Sequence, residues 1–353
     1  MKAFPLNEGD LSRNNLDALR LFFALIVVFD HVAALSDVPA FSAYRPYLSG
    51  FFAVKSFFVI SGMLIYRSYT KSSSLKSYFE KRFRRIYPAY FTVVTVAAFA
   101  LFPLSSLPAS QYFAFGFWKT LLANLFFLNQ SASLPGVFSS NAATAVNGAL
   151  WTLKVEVLFY LSVPLIAYLC RRFGTGRVLG ALFCLSFLWK WSFELLYLTH
   201  RQTHLYVDLK ESLPGQLFYF IAGIVLLLNF EKLRRNFSLI LCVTACTFLV
   251  DHFFLRGLLD VVWISGFAFF FGFVRYLGNF SKYGDFSYGT YIVHFPLLQT
   301  WVALGVAERS PEIFLLVALT SIALGAFLMW HLVENRFLAK SSHYRQATVA
   351  VPG

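Results

Sequence analysis

Residues 16–35 read LDALRLFFALIVVFDHVAAL. The run is apolar over the length that crosses the roughly 30 Å hydrocarbon core of a bilayer at about 1.5 Å per residue. It nevertheless carries Arg20 near its front and Asp30 and His31 toward its back. Positions 20 and 31 are an Arg-x10-His pair. On an α-helix, steps of about 100° bring His31 back to within about 20° of the direction of Arg20, roughly 16 Å further along the axis. Both side chains therefore share one face, and a ligand that touched both would have to be long. A charge inside a span costs at least about 2.5–3.5 kcal/mol on insertion scales, which makes it a functional candidate by default. Arg20 alone could snorkel to the surface and His31 alone could be a hydrogen-bonded core residue. Their shared face favours a joint role.

Similar apolar runs recur along the 353 residues, which are 58% hydrophobic and 13% charged; an ordinary soluble domain is about a quarter charged. The runs fall near 16–35, 50–67, 87–107, 149–170, 178–198, 214–230, 237–254, 258–276, 286–306 and 312–333. The fold expected is all-α: a polytopic integral membrane protein of about ten transmembrane helices. Residues 1–15 form an N-terminal segment, 16–337 the membrane domain and 338–353 a tail. FWKTLLANLFFL (117–128) is too short to span and reads as interfacial or re-entrant. No small-residue cleavage site follows the first span, so no removable signal peptide is expected.

The net charge of +13 does not point to nucleic acid, because the basic residues lie in short loops between spans. With the N-terminus inside, the external loops hold only Arg45, Lys119, Arg201, Lys210, Arg256 and Arg309, and Lys55, Lys154 and Lys190 lie within spans. All other Lys and Arg fall on the inner side, so both termini are expected in the cytoplasm. Cys242 and Cys246 are one helical turn apart, but no His or carboxylate completes a metal site. No metal is expected. The long external segment 108–148, rich in Ser, Asn and aromatics, is a candidate sugar-contacting loop.

Four further stretches carry ionisable or hydroxyl groups. KRFRRIYP (81–88) places Arg82 and Arg85 one turn apart on the cytoplasmic side, where guanidinium forks suit phosphate. The competing reading is plain topological anchoring. NGALWTLKVEVLFY (147–160) sets Glu156 in an apolar run, with Trp151 before it and Tyr160 one turn on. Lys154 points nearly opposite to Glu156 and is a poor partner for it. YGDFSYGTYIVHFP (283–296) brings Tyr291 and His294 into i,i+3 relation below Pro296. WHLVENRF (330–337) reads as a structural cluster in which Glu334 meets Arg336 at the cytoplasmic surface.

Taken in order, these segments resemble the membrane acyltransferase-3 family, which includes O-antigen, exopolysaccharide and nodulation-factor O-acyltransferases. The resemblance runs from Asn15 to about Phe337. The family's Arg-x10-His falls on Arg20 and His31, its Arg-x-x-Arg on Arg82 and Arg85, and its Trp-x4-Glu on Trp151 and Glu156. Its Ser-Tyr…Tyr…His falls on Ser287, Tyr288, Tyr291 and His294. The chain departs from the family at Asp30, Lys55 and Lys154.

The resemblance implies a bacterial inner-membrane enzyme with no tightly bound cofactor. It would use acyl-CoA, with acetyl-CoA as the expected donor, as cytoplasmic co-substrate and a glycan or lipid-linked saccharide as acceptor. Arg20, Arg82 and Arg85 would bind the acyl-CoA. His31 would act as general base or carry the acyl group, with Glu156 as the preferred orienting residue. Asp30, Trp151, Tyr160, Tyr288, Tyr291 and His294 are candidates for substrate contact or for supporting these residues. Lipid is the surrounding partner, and the oligomeric state is left open. The alternative from a different class is a transporter moving a small anion or glycan along the same polar track.

Inserting one alanine after Ile26 rotates His31 by about 100° against Arg20. Acyl transfer per inserted protein should fall as far as in His31→Ala, whereas an insertion before Asn14 should be mild. Retained activity in the internal insertion would mean that the two residues act independently.

Overall fold

The computed structural model describes residues 13–128, 133–200 and 203–339. Most of the segments expected at 1–15 and 338–353 lies outside them. The described residues are helical, without strands. The longer helices are α1 Leu16–Ser36, α2 Gly50–Thr70, α3 Leu75–Ala100, α4 Phe115–Leu125, α5 Leu150–Phe173, α6 Thr175–Thr199, α7 Leu213–Leu228, α8 Phe237–Val250, α9 Asp260–Phe273, α10 Phe286–Ala303 and α11 Pro311–Leu328.

Among the described residues, seven helices are long and apolar enough to cross a membrane: α1, α2, α5, α6, α7 extended back to His204, α8 extended to Leu255, and α11 extended to Phe337. The other three expected spans also coincide with helices, but these fall short. α3 devotes its first half to the basic cluster of 81–85. α9 has only 14 residues. α10 carries buried Ser287, Thr290, His294 and Gln299 among its apolar residues. The 117–128 stretch is an 11-residue helix, α4.

The chain divides into two compact units. The first comprises residues up to Leu19, Val54–Phe79 and Val155–Gly278; the second comprises Arg20–Ala53, Glu80–Lys154 and the residues from Asn279 on. In the first, Phe159 of α5 packs between Phe58 of α2 and Phe220 of α7, with ring centroids 5.2 and 4.4 Å away. The backbones of α2 and α7 touch. A Cβ on Gly62 would fall on the Phe220 carbonyl, and one on Gly223 on the Val59 carbonyl. Small residues are the usual device for such close approach between helices in lipid.

Proline explains two polar contacts that would otherwise look arbitrary. A proline inside a helix has no N–H for the carbonyl four residues earlier, and lipid offers that carbonyl no water. Pro164 of α5 releases the Tyr160 carbonyl, which accepts from Tyr78 Oη at 3.0 Å in the first unit. Pro296 of α10 releases the Ile292 carbonyl, which accepts from Asn147 Nδ2 at 2.9 Å in the second. The segment before α5 is further tied to α10 by the fully buried Gln299. Its Nε2 donates to the carbonyls of Ala143 and Ala145, and its carbonyl groups accept from Asn141.

Gly223→Ala should destabilise the protein by about 1–3 kcal/mol or more, since the obstacle is backbone that no rotamer change relieves. Gly180→Ala, where nothing lies within 4 Å of the added carbon, should be neutral or slightly stabilising. Thermal unfolding of the purified protein in detergent compares the two.

Candidate functional site

The polar residues of α1 and α10 meet at two levels within the second unit. The lower level is built on Asp285, the N-cap of α10. An Asp at this position satisfies amide groups that the first helical turn leaves open. Its Oδ1 accepts from Ser287 N at 3.2 Å and Ser287 Oγ at 2.6 Å. Its Oδ2 accepts from Arg20 of α1 at 2.8 Å and also from Arg85 of α3. Arg85 reaches on to Glu334 Oε2 at 3.3 Å and lies over the Tyr288 ring. Tyr288 in turn donates to the Ile86 carbonyl at 2.9 Å. Asp285 and Glu334 are almost completely buried. Two guanidinium groups lie against two carboxylates, the kind of pairing that burial demands.

Glu334 departs from its expected partner. Arg336 is exposed, while Glu334 is turned inward at the end of a π-helical segment, Met329–Glu334, and pairs with Arg85. Residues two apart on a helix point about 200° from each other, so Glu334 and Arg336 face nearly opposite sides, as Lys154 and Glu156 do.

At the upper level, His31 Nδ1 lies 2.8 Å from His294 Nε2. His294 is fully buried, and its Nδ1 lies 2.6 Å from the Tyr291 carbonyl. His31 also packs edge-on against Phe295, ring centroids 5.0 Å apart. That ring leaves no room for a side chain at position 148, where a Cβ would sit 2.8 Å from it. Tyr291 is held by Thr152 Oγ1 at 2.7 Å. Asn147, Gly148 and Thr152 thus set the face of α10 that carries His294. Asp30 lies on a different side of α1 from His31. Its nearest cation is Arg45, at 3.7 Å with a half-exposed side chain.

The sequence expectation placed Glu156 as the orienting residue of His31; the side chain that His31 Nδ1 meets is His294. A coil of 3.6 residues per turn says nothing about which ring another helix will deliver, so sequence spacing could not choose between them. Glu156 belongs to the first unit, where it accepts from Tyr160 Oη at 2.7 Å. Trp151 is half-buried at the start of α5 and Arg82 half-buried on α3. Asp285 was missed altogether. Its signal was present, a carboxylate two residues before Ser287 at a helix start, but capping alone accounts for such a residue.

The first unit holds a second buried polar cluster, also missed. Asp260 Oδ2 accepts from Lys55 at 2.6 Å, from Lys190 at 3.4 Å and from Tyr219 Oη at 2.7 Å. Lys55 and Lys190, seen in the sequence as isolated charges in apolar runs, are therefore partners of one carboxylate. Among the described residues no group of three or more His, Cys, Asp or Glu is arranged to hold a metal ion.

A family model described as an acyltransferase domain matches residues 13–331. The chain is 28% identical over 363 residues to nodulation protein 10 of Rhizobium leguminosarum bv. viciae, covering 94% of this chain and 95% of that protein. It is 27% identical over 340 residues to an O-acetyl transferase of Shigella phage Sf6, covering 93% and 97%. A shorter match, 29% over 191 residues, covers 49% of this chain and 28% of O-acetyltransferase OatA of Staphylococcus aureus. No solved structure matches.

Asp285→Ala should cost about 3–5 kcal/mol, because it removes the carboxylate that both buried arginines share. Asp285→Asn keeps a good cap, worth only about 1 kcal/mol, and should recover little of the loss. Unfolding in detergent reads both; full recovery by Asn would show that Asp285 acts mainly as a cap and little through its charge.

Proposed function

Because the chain belongs to the acyltransferase domain family, we propose that it is a membrane O-acyltransferase. It moves an acyl group from cytoplasmic acyl-CoA to a hydroxyl of an extracytoplasmic or lipid-linked glycan. The observation that carries this reading is the upper level of α1: a histidine within an apolar helix, its Nδ1 engaged by a second ring. It stands on the same helix face as an arginine roughly 16 Å away. The names of the relatives from Shigella phage Sf6 and Staphylococcus aureus support acetyl as the acyl group. Acetyl-CoA has the matching shape, a phosphate-rich head and a long arm ending in a thioester.

In this reading the phosphates contact the basic turn of Arg82 and Arg85, and the arm runs along α1 past Arg20. Asp285 holds the guanidinium groups of Arg20 and Arg85 in place before the donor arrives, so binding does not have to order them. At the far end His31 takes the proton of the acceptor hydroxyl as the oxygen bonds to the thioester carbonyl carbon. The carbon–sulfur bond breaks, and the sulfur leaves with that proton as the CoA thiol. A two-step route, in which the imidazole first carries the acyl group and then passes it to the hydroxyl, uses the same residues.

The test uses membrane vesicles supplied with acetyl-CoA labelled in the acetyl group. Label should appear in extracted glycan as base-labile ester, with one free CoA per ester. His31→Ala should lower this by at least about 100-fold, the usual scale for losing a general base, while insertion is unchanged. Vesicles that consume no thioester, or wild-type rates in His31→Ala, would overturn the reading; absence of thioester consumption is what a transporter would give.

A further inference from the structure

The geometry points to His294 as the residue that positions His31 and makes Nε2 its reacting nitrogen. This rests on the reading of His31 as the residue that meets the substrates. Donors and acceptors along the chain of contacts fix where the protons sit. A carbonyl oxygen only accepts, so the 2.6 Å contact between His294 Nδ1 and the Tyr291 carbonyl places a proton on that Nδ1. A neutral imidazole with a proton on Nδ1 has its lone pair on Nε2. The 2.8 Å contact from that Nε2 to His31 Nδ1 then needs the proton on His31 Nδ1. The lone pair of His31 is left on Nε2, the nitrogen on the other side of the ring.

The chain of bonds runs from a helix carbonyl through two imidazoles and ends on one basic nitrogen. Each link is fixed from behind. His294 is fully buried, so no water competes for its ring. The two ring planes are inclined by only 20°, with centroids 5.0 Å apart. Phe295 closes off a side of His31 at 5.0 Å. The freed Ile292 carbonyl on the same helix is held by Asn147, which fixes α10 where Pro296 would loosen it.

The arrangement does for His31 what a buried carboxylate does for the histidine of a serine hydrolase. It selects the tautomer and receives the Nδ1–H bond that strengthens when the ring becomes imidazolium. It differs in carrying no negative charge. A carboxylate in this place would add a buried anion; a neutral ring adds none, which suits an apolar helix pair. When His31 Nε2 takes the hydroxyl proton, the added charge is shared with His294 across the Nδ1–Nε2 bond. The proton later returns from Nε2 to the leaving sulfur. In the two-step route the same tautomer makes Nε2 the atom that is acylated, so both routes react at one nitrogen.

The experiment compares His294→Gln, His294→Leu and His31→Ala in the labelled acetyl-CoA vesicle assay, with rates per inserted protein and unfolding in detergent as the check on folding. The amide of glutamine reaches the position of imidazole Nε2 and can accept from His31 Nδ1; leucine cannot. His294→Leu should lower kcat by about 10²–10⁴-fold, the scale seen when a histidine loses its orienting partner. KM for acetyl-CoA should stay within about three-fold, since the residue makes no uniform binding contact. His294→Gln should retain at least about a tenth of wild-type kcat. A purely structural role would move the two variants together with stability.

Near wild-type kcat in His294→Leu would overturn the inference. So would a glutamine variant that folds normally yet is as inactive as His31→Ala, and this variant decides alone if the leucine variant does not insert. Should His31→Ala itself stay active, the functional reading fails, a result distinct from an active His294→Leu beside an inactive His31→Ala.

Discussion

Asp285 joins three helices through one carboxylate. One oxygen caps α10 and the other takes guanidinium groups from α1 and α3. In an apolar surrounding neither arginine could stand there uncompensated, and the carboxylate could not stand there without them. The ion pair fixes the starts of α1 and α10 side by side, both running the same way. His31 and His294 then arrive at one level because each lies further along its own helix, and they meet as a second polar stitch between the same two helices. The geometry of the histidine pair depends on the registration set at the charged end.

Lipid imposes a second constraint, visible at Pro164 and Pro296. In water the freed carbonyls of Tyr160 and Ile292 would be solvated at little cost. Here each has a protein donor, Tyr78 and Asn147. The second of these does two things. It satisfies a backbone acceptor and it holds the start of α5 against the helix that carries His294. Thr152 and the missing side chain at Gly148 complete that contact by admitting Tyr291 and Phe295. A proline inside a functional helix is thus compatible with rigidity when the released group is pinned from a neighbouring element.

Each unit holds a buried charged cluster. Asp285, Arg20, Arg85 and Glu334 belong to the second unit, with the candidate site. Lys55, Lys190 and Asp260 belong to the first unit, where Tyr219 shares the carboxylate. Both clusters show why a lone Lys or Arg in an apolar run is better read as half of a pair than as an anchor. The carboxylate that answers it lies far away in sequence: Arg20 and Asp285 are separated by 265 residues, Lys55 and Asp260 by 205.

The sequence alone determined the helical class, the apolar segments and the residues worth following, because helix periodicity and the cost of charge in lipid are local properties. It placed Arg20 and His31 on one face, and it singled out His294, Tyr291 and Arg85 from their spacing. It could not name their partners. Glu156 was the reasonable carboxylate for His31 and Arg336 the near neighbour of Glu334. The tertiary structure put His294 at the first and Arg85 at the second. Which helix packs against which depends on contacts between residues hundreds of positions apart. Those contacts, rather than any pattern along the chain, decided which ring His31 Nδ1 meets.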